Sequence, residues 1–190
     1  MNKEDYLIEN SLKGDKESFE NLVNMYKDRI YCFILKMTLS REDSDDLLQE
    51  TFICVYKNLY KYNNKWNFST WIYKIAVNLL KNHWKKKKRT YGRELYQSIT
   101  ENLYSIYNDP ETEFESKEDY IEIVRIINQL DYDQKVAFVL RYARDLTITD
   151  IAAIIGTSPE NVKMRIHRAR KKICNEFKKY SIRSDELYEV

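Results

Sequence analysis

The chain has 190 residues, enough for one large domain or two small ones, and its three glycines and two prolines leave long stretches free to run as unbroken helix. Three cysteines without a CxxC pair and only two histidines, His83 and His167, exclude a zinc cluster; no metal or cofactor is expected, and Cys32, Cys54 and Cys174 read as reduced thiols of a cytoplasmic protein. The net charge is only +2 but unevenly spread, no apolar run reaches the length of a membrane span, and the charged first residues exclude a signal peptide.

Few windows alternate with period two, so the expected fold is all-α: two small helical domains joined by an acidic linker, the second carrying a helix-turn-helix. Glu4 to Lys13 reads as a short helix ended by Gly14, and Asp15 can cap the next. In that next helix Phe19, Leu22, Val23, Tyr26, Ile30, Phe33, Ile34 and Met37 trace one core face, with Cys32 beside them as a small buried hydrophobe. Ser40 is the following cap. Leu47, Leu48, Phe52, Val55, Tyr56 and Leu59 then form a buried face. Asp46, Gln49 and Glu50 fall at i, i+3 and i+4 on an exposed one. Their residue types leave two roles open: compensation of the helix dipole, or docking of a basic partner.

Tyr60 to Trp66, YKYNNKW, is polar and aromatic and reads as a loop. Phe68 to Arg89 resumes as helix. Trp71, Ile72, Ile75, Ala76, Leu79 and Leu80 make its inner face, and Tyr73, Lys74, Asn78, Lys81, Asn82, Lys85 and Lys86 its outer one. Cations track phosphates and flat rings stack on bases, so this mixture suits single-stranded nucleic acid. Trp66, Phe68 and Trp71 also have a reading as core residues. The run KKKKR, Lys85 to Arg89, continues the phosphate-friendly face. Thr90 to Tyr120 carries eight acids against two bases and includes Pro110, so a domain boundary is placed inside it.

Ile121 to Leu130 reads as a helix, and Asp131 can cap another that carries Val136, Ala137, Val139 and Leu140. Thr147 to Lys172, TITDIAAIIGTSPENVKMRIHRARKK, follows. Thr147 with Asp150 starts a helix, Gly156 ends it, and Ser158–Pro159 starts the next as N-cap and first helical residue. Two helices joined by a short glycine turn make a helix-turn-helix. Val162, Ile166, Ala169 and Ile173 form the inner stripe of the second helix, and its basic side chains project elsewhere. Such a helix fits the major groove. The chain after Tyr180 mixes charges and reads as a frayed tail.

Two blocks resemble one family. DSDDLLQETFICVYKNL with FSTWIYKIAVNLLKNHWKKKKR resembles the second conserved region of bacterial sigma factors, and INQLDYDQKVAFVLRYARDLTITDIAAIIGTSPENVKMRIHRARKKI resembles the fourth. The short gap between them resembles the extracytoplasmic-function (ECF) subgroup. The resemblance implies a region 2 domain over residues 1–90, a linker over 91–120, a region 4 domain over 121–180 and a tail over 181–190. It implies that Asp46, Leu47, Gln49 and Glu50 dock the β′ clamp helices of core RNA polymerase. It implies that Lys61, Tyr62, Asn63, Asn64, Trp66, Phe68, Tyr73, Lys74, Asn78 and Asn82 meet the opened minus-ten element. Ser158, Glu160, Asn161, Lys163, Met164, Arg165, Arg168 and Arg170 match positions at or near the minus-thirty-five element. Met164 stands where a small residue is common, and Glu160 puts an acid near the start of the recognition helix. The implied partners are core polymerase, through β′ and β, promoter DNA and an anti-sigma factor, with no direct membrane insertion. The linker is expected in the channel later filled by nascent RNA. No acid–base, nucleophile or phosphate-loop constellation points to an enzyme. The rival reading is a stand-alone helix-turn-helix regulator, which leaves the acidic face and aromatic loop unexplained.

Overall fold

The computed structural model describes residues 2–91, 117–144 and 146–188, which are helical apart from short connections, with no strand among the described residues. The chain divides into two compact units, residues 1–86 with 153–156, and residues 87–152 with 157–190.

The first unit is built on α1 (Lys3–Leu12), α2 (Lys16–Thr38), α3 (Arg41–Asn58) and α4 (Phe68–Tyr91), with one 3-10 turn at Leu59–Lys61. Local chemistry sets the ends. Asn2 and Asp5 form a reciprocal capping box at the start of α1: the Asp5 amide donates to Asn2 Oδ1 at 2.9 Å, and the Asn2 amide to Asp5 Oδ2 at 3.3 Å. Gly14 closes α1 at φ 92°, and the Asp15 amide reaches back to the Asn10 carbonyl at 3.1 Å. Asp15 and Ser40 cap α2 and α3 as the sequence predicts. α2 ends differently, on a left-handed Leu39 at φ 55° whose side chain is buried in the core. Burial of the leucine offsets the strain of that backbone.

α2 packs against α1 and α3. Leu22, Ile30, Phe33 and Ile34 are its fully buried core residues, and Phe68 and Ile72 of α4 are buried as completely. Tyr26 meets the Phe68 ring edge-on at 5.6 Å, and its hydroxyl donates to the Glu4 carboxylate, which ties α1 to α2. His83 Nε2 lies 3.5 Å from Asp43 Oδ1, so α4 also borders the start of α3.

Three expectations about helix faces fail here, one because α4 buries a second stripe and two because residues beside an apolar stripe stay in solvent. Tyr73 is not on the outer face of α4. It is 4% exposed and edge-on to Phe33 at 5.4 Å. Val77 is buried with it. Conversely Tyr56 of α3 is exposed although it shares the apolar spacing, and Cys32 of α2 is an exposed thiol rather than a buried one.

The second unit contains α5 (Lys117–Asn128), α6 (Tyr132–Arg144), α7 (Ile148–Ile155) as far as residue 152, and α8 (Pro159–Tyr188). α5 and α6 both pack against α8. Ile126, Leu130, Val136, Ala137, Leu140, Ile151, Val162 and Ala169 form the interior. Of the acidic linker expected over 91–120, residues 92–116 lie outside the described residues. At its ends helix extends further than the sequence suggests, through Tyr91 on one side and from Lys117 on the other. α8 likewise continues to Tyr188, past the expected tail boundary at Tyr180.

Candidate nucleic-acid interface

The turn between α7 and α8 is assembled from the residues that its sequence singles out. The Thr147 side chain accepts from the Asp150 amide at 3.1 Å, and Asp150 Oδ2 accepts from the Thr147 amide at 3.3 Å. Gly156 takes φ 73°, and the Thr157 amide donates to the Ala152 carbonyl at 3.0 Å, closing α7 with the six-to-one bond of a Schellman turn. Ser158 Oγ accepts from the Asn161 amide at 3.3 Å, and α8 begins at Pro159.

Val162, Ile166 and Ala169 anchor α8 inward, which turns Glu160, Lys163, Met164, His167, Arg168, Arg170 and Lys171 to solvent. Ser158 and Asn161 are also exposed, but both are engaged locally: Ser158 in the cap, and Asn161 Nδ2 with Thr157 Oγ1 at 3.2 Å. Arg165 differs from its neighbours. Its Nη2 lies 3.1 Å from Asp133 Oδ2 of α6. Lys172 reaches across to the Gln129 carbonyl beyond α5 at 2.7 Å, where a cation suits the free carbonyls of a helix end.

In the first unit the 3-10 turn and the following loop are edged by aromatics. Tyr60 is 70% exposed, with Lys61 Nζ 5.3 Å from its ring centroid and also bonded to Asn58 Oδ1 at 2.9 Å. Tyr60 is not among the site residues expected from sequence, although it stands beside the polar run. Trp66 is 42% exposed, and its carbonyl accepts from the Tyr62 hydroxyl at 2.9 Å, which closes the loop on itself. Tyr62 packs on Phe68 and Trp71 at 5.0 and 5.5 Å. Asn64 sits at φ 40°, a conformation that asparagine tolerates. Asn63 and Asn64 line an open cleft of about 270 Å³ whose other wall is Asp5, Ile8, Glu9 and Leu12 of α1.

The structure thus splits the residues assigned to the opened strand. Lys61, Asn63, Asn64, Trp66, Lys74, Asn78 and Asn82 are exposed, and Tyr62 is half-buried. Phe68 and Tyr73 are core residues, which support the surface from within. Lys81, Lys85, Lys86, Lys88 and Arg89 continue the exposed cationic face along α4.

On α3, Asp46, Gln49 and Glu50 share an exposed face and Ile53 extends it one turn further. Leu47, read with them from sequence, is buried beneath that face. Ile53 and Tyr56 add exposed apolar area that periodicity had assigned indoors or passed over.

The described residues contain no group of three or more His, Cys, Asp or Glu side chains placed to hold a metal, and no helix is long and apolar enough to cross a membrane.

Comparison with known proteins bears on both interfaces. The Sigma-70 region 2 model matches residues 22–90, and the Sigma-70, region 4 model matches residues 120–173. The ECF RNA polymerase sigma factor SigW of Bacillus subtilis is 32% identical over 173 residues, 87% of this chain and 92% of that protein. The ECF RNA polymerase sigma-E factor of Haemophilus influenzae is 33% identical over 177 residues, 90% of this chain and 93% of that protein. Among solved structures, CnrH in complex with the cytosolic domain of CnrY shares the fold with a TM-score of 0.68 at 18% identity, covering 92% of this chain and 96% of that one. RpoE in complex with the anti-sigma factor NepR from Bartonella quintana gives 0.61 at 21% identity, covering 85% and 98%. With both regions matched in order and full-length relatives above 30% identity, the chain belongs to the ECF subfamily of RNA polymerase sigma factors.

Proposed function

We propose that this sigma factor docks core RNA polymerase through the exposed face of α3, captures opened promoter strands with the Tyr60–Trp66 loop and α4, and reads upstream duplex with α8. The observation that carries the reading is the segregation of surface chemistry. Acid and amide groups with flanking apolar area occupy α3, whereas cations, amides and exposed rings occupy α4, the loop and α8. A β′ helix pair would meet Asp46, Gln49 and Glu50, with Ile53 as an apolar neighbour. Lys61, Lys74, Asn78 and Asn82 would track and bond the displaced strand, while Tyr60 and Trp66 stack on bases. Ser158, Glu160, Asn161, Lys163, Met164, Arg165, Arg168 and Arg170 would meet the minus-thirty-five duplex. Residues 1–90 and 121–180 are the two functional domains of this scheme, and 91–120 is its linker. The factor performs no covalent step itself, works in the cytoplasm and answers to an anti-sigma factor, as RpoE of Bartonella quintana was solved with NepR.

The test is assembly. The purified chain should co-migrate with core RNA polymerase on gel filtration, and a Gln49→Ala/Glu50→Ala variant with an unchanged thermal melt should not. A chain that stays free of polymerase yet shifts duplex DNA unaided would sink this reading in favour of a stand-alone regulator.

A further inference from the structure

Arg165 stands apart from the other cations of α8. Lys163, Arg168, Arg170 and Lys171 project into solvent, but the Arg165 side chain is only 27% exposed and is held at 3.1 Å by Asp133, in the first turn of α6. Its Nη1 is covered and has no hydrogen-bond partner among the described residues. Arg165 also lies one turn before Arg168, at the margin of the exposed face rather than at its centre.

We propose that Asp133 is a positioning residue that presets Arg165 as a ligand for a backbone phosphate of the upstream duplex. The inference rests on the reading of α8 as the duplex-reading helix. As a staple between helices, a part-exposed ion pair contributes little to stability. Its geometric effect is larger. A free arginine side chain loses rotamer entropy when it is ordered, and a carboxylate that restrains the planar fork removes part of that loss from the binding step. Part of the paired guanidinium remains in solvent, and there it can meet a phosphate oxygen in a charge-assisted hydrogen bond. A marginal position favours phosphate over a base edge, because base edges lie under the centre of an inserted helix while the two backbones flank it.

The sign of the effect separates this role from simple electrostatics. Asp133 is a half-exposed anion beside a DNA-binding face. Coulomb's law alone says that neutralising it tightens binding to DNA. Positioning says that neutralising it weakens binding.

The experiment uses holoenzyme assembled from the full chain and core RNA polymerase, with a labelled promoter duplex that this holoenzyme selects, read by fluorescence anisotropy across a salt series. Asp133→Asn is expected to weaken binding roughly two- to fivefold, the scale of an ordered surface pair. The loss should be equal for selected and altered minus-thirty-five sequences, and Asp133→Glu should restore most of it. Arg165→Gln should flatten the slope of log K against log salt by about 0.9, one phosphate contact. In the Arg165→Gln background Asp133→Asn should add nothing. Arg165→Lys, which keeps the charge and loses the fork, gives a second arm if Asp133→Asn fails to fold, and it too should weaken binding. Unchanged or tighter binding by Asp133→Asn with an intact melt, or a loss that adds to that of Arg165→Gln, overturns the proposal. If Lys163→Ala/Arg168→Ala also binds unchanged, the duplex-reading role of α8 falls with it. If that variant weakens and Asp133→Asn does not, only the role of Asp133 falls.

Discussion

Lys135 is a lysine in the wrong place for a charge. It sits in α6 between Gln134 and Val136, is 4% exposed, and donates from Nζ to Asn128 Oδ1 at 2.5 Å. Burial pulls its pKa down from 10.5 to about 7. The sign of the pH dependence follows. Between about 7 and 10.5 the unfolded chain holds this proton more tightly than the folded one, so unfolding takes up a proton and stability rises with pH. Below about pH 7 both states are protonated, and the cost of burying the cation is fully present. Denaturant unfolding between pH 7 and 9 should therefore show stability increasing with pH, at a limiting slope of about 1.4 kcal/mol per unit. Lys135→Met should flatten that slope. An equal slope in the variant would mean that Lys135 is not the source. None of this was legible in the sequence, where a lysine inside a helical pattern reads as solvated. Tyr73 failed in the same way, since a polar-tipped ring one residue from Ile72 looks external until α2 supplies Phe33 for it to pack on.

Helix ends were legible because their chemistry is local. Gly14, Asp15, Ser40, Thr147, Gly156 and Ser158 each terminate or start the helix that their residue type implies. No distant partner is needed to decide an N-cap or a left-handed glycine. Helix faces were legible along α8, where Val162, Ile166 and Ala169 are buried, and misread at Tyr73, where α4 buries a second stripe, and at Tyr56, which lies at the edge of its apolar stripe in solvent. The linker ends were misread because composition reports charge, and a charged stretch can still be helical. The Gly156 turn gives a clean test of the local argument. A Cβ there meets nothing within 4 Å, so Gly156→Ala would be penalised by its φ of 73° alone. The expected loss is about 1 to 2 kcal/mol in a denaturant melt, with Gly156→Asn losing less. Ser158→Ala should cost about 1 kcal/mol by removing the acceptor for the Asn161 amide. If Gly156→Ala is neutral, the turn has adopted another backbone, and the spacing of α7 and α8 is not set by this residue.

For the whole molecule the order of events matters. Phosphate attraction acts at range and on closed duplex, while ring stacking needs bases already exposed. The cations of α8 and the rings of the Tyr60–Trp66 loop should therefore fail at different steps. Opening costs about 1.4 kcal/mol per base-pair step, and one base stacked on an aromatic returns about 1 to 3 kcal/mol. If the two exposed rings, Tyr60 and Trp66, stack on unpaired bases as proposed, they would hold open a short stretch that is unfavourable by itself. In holoenzyme, Arg168→Ala is expected to weaken capture of closed promoter duplex and to reduce the salt slope of that step by about 0.9. Trp66→Ala should leave closed-duplex affinity near wild type and lower the fraction of promoter that becomes reactive to permanganate at unpaired thymines. A template with a pre-opened mismatch bubble should recover much of the Trp66→Ala defect, because the opening cost has been removed, and none of the Arg168→Ala defect on upstream duplex. If Trp66→Ala instead weakens closed binding as Arg168→Ala does, the loop reads duplex, and the separation of reading from opening between the two surfaces is wrong.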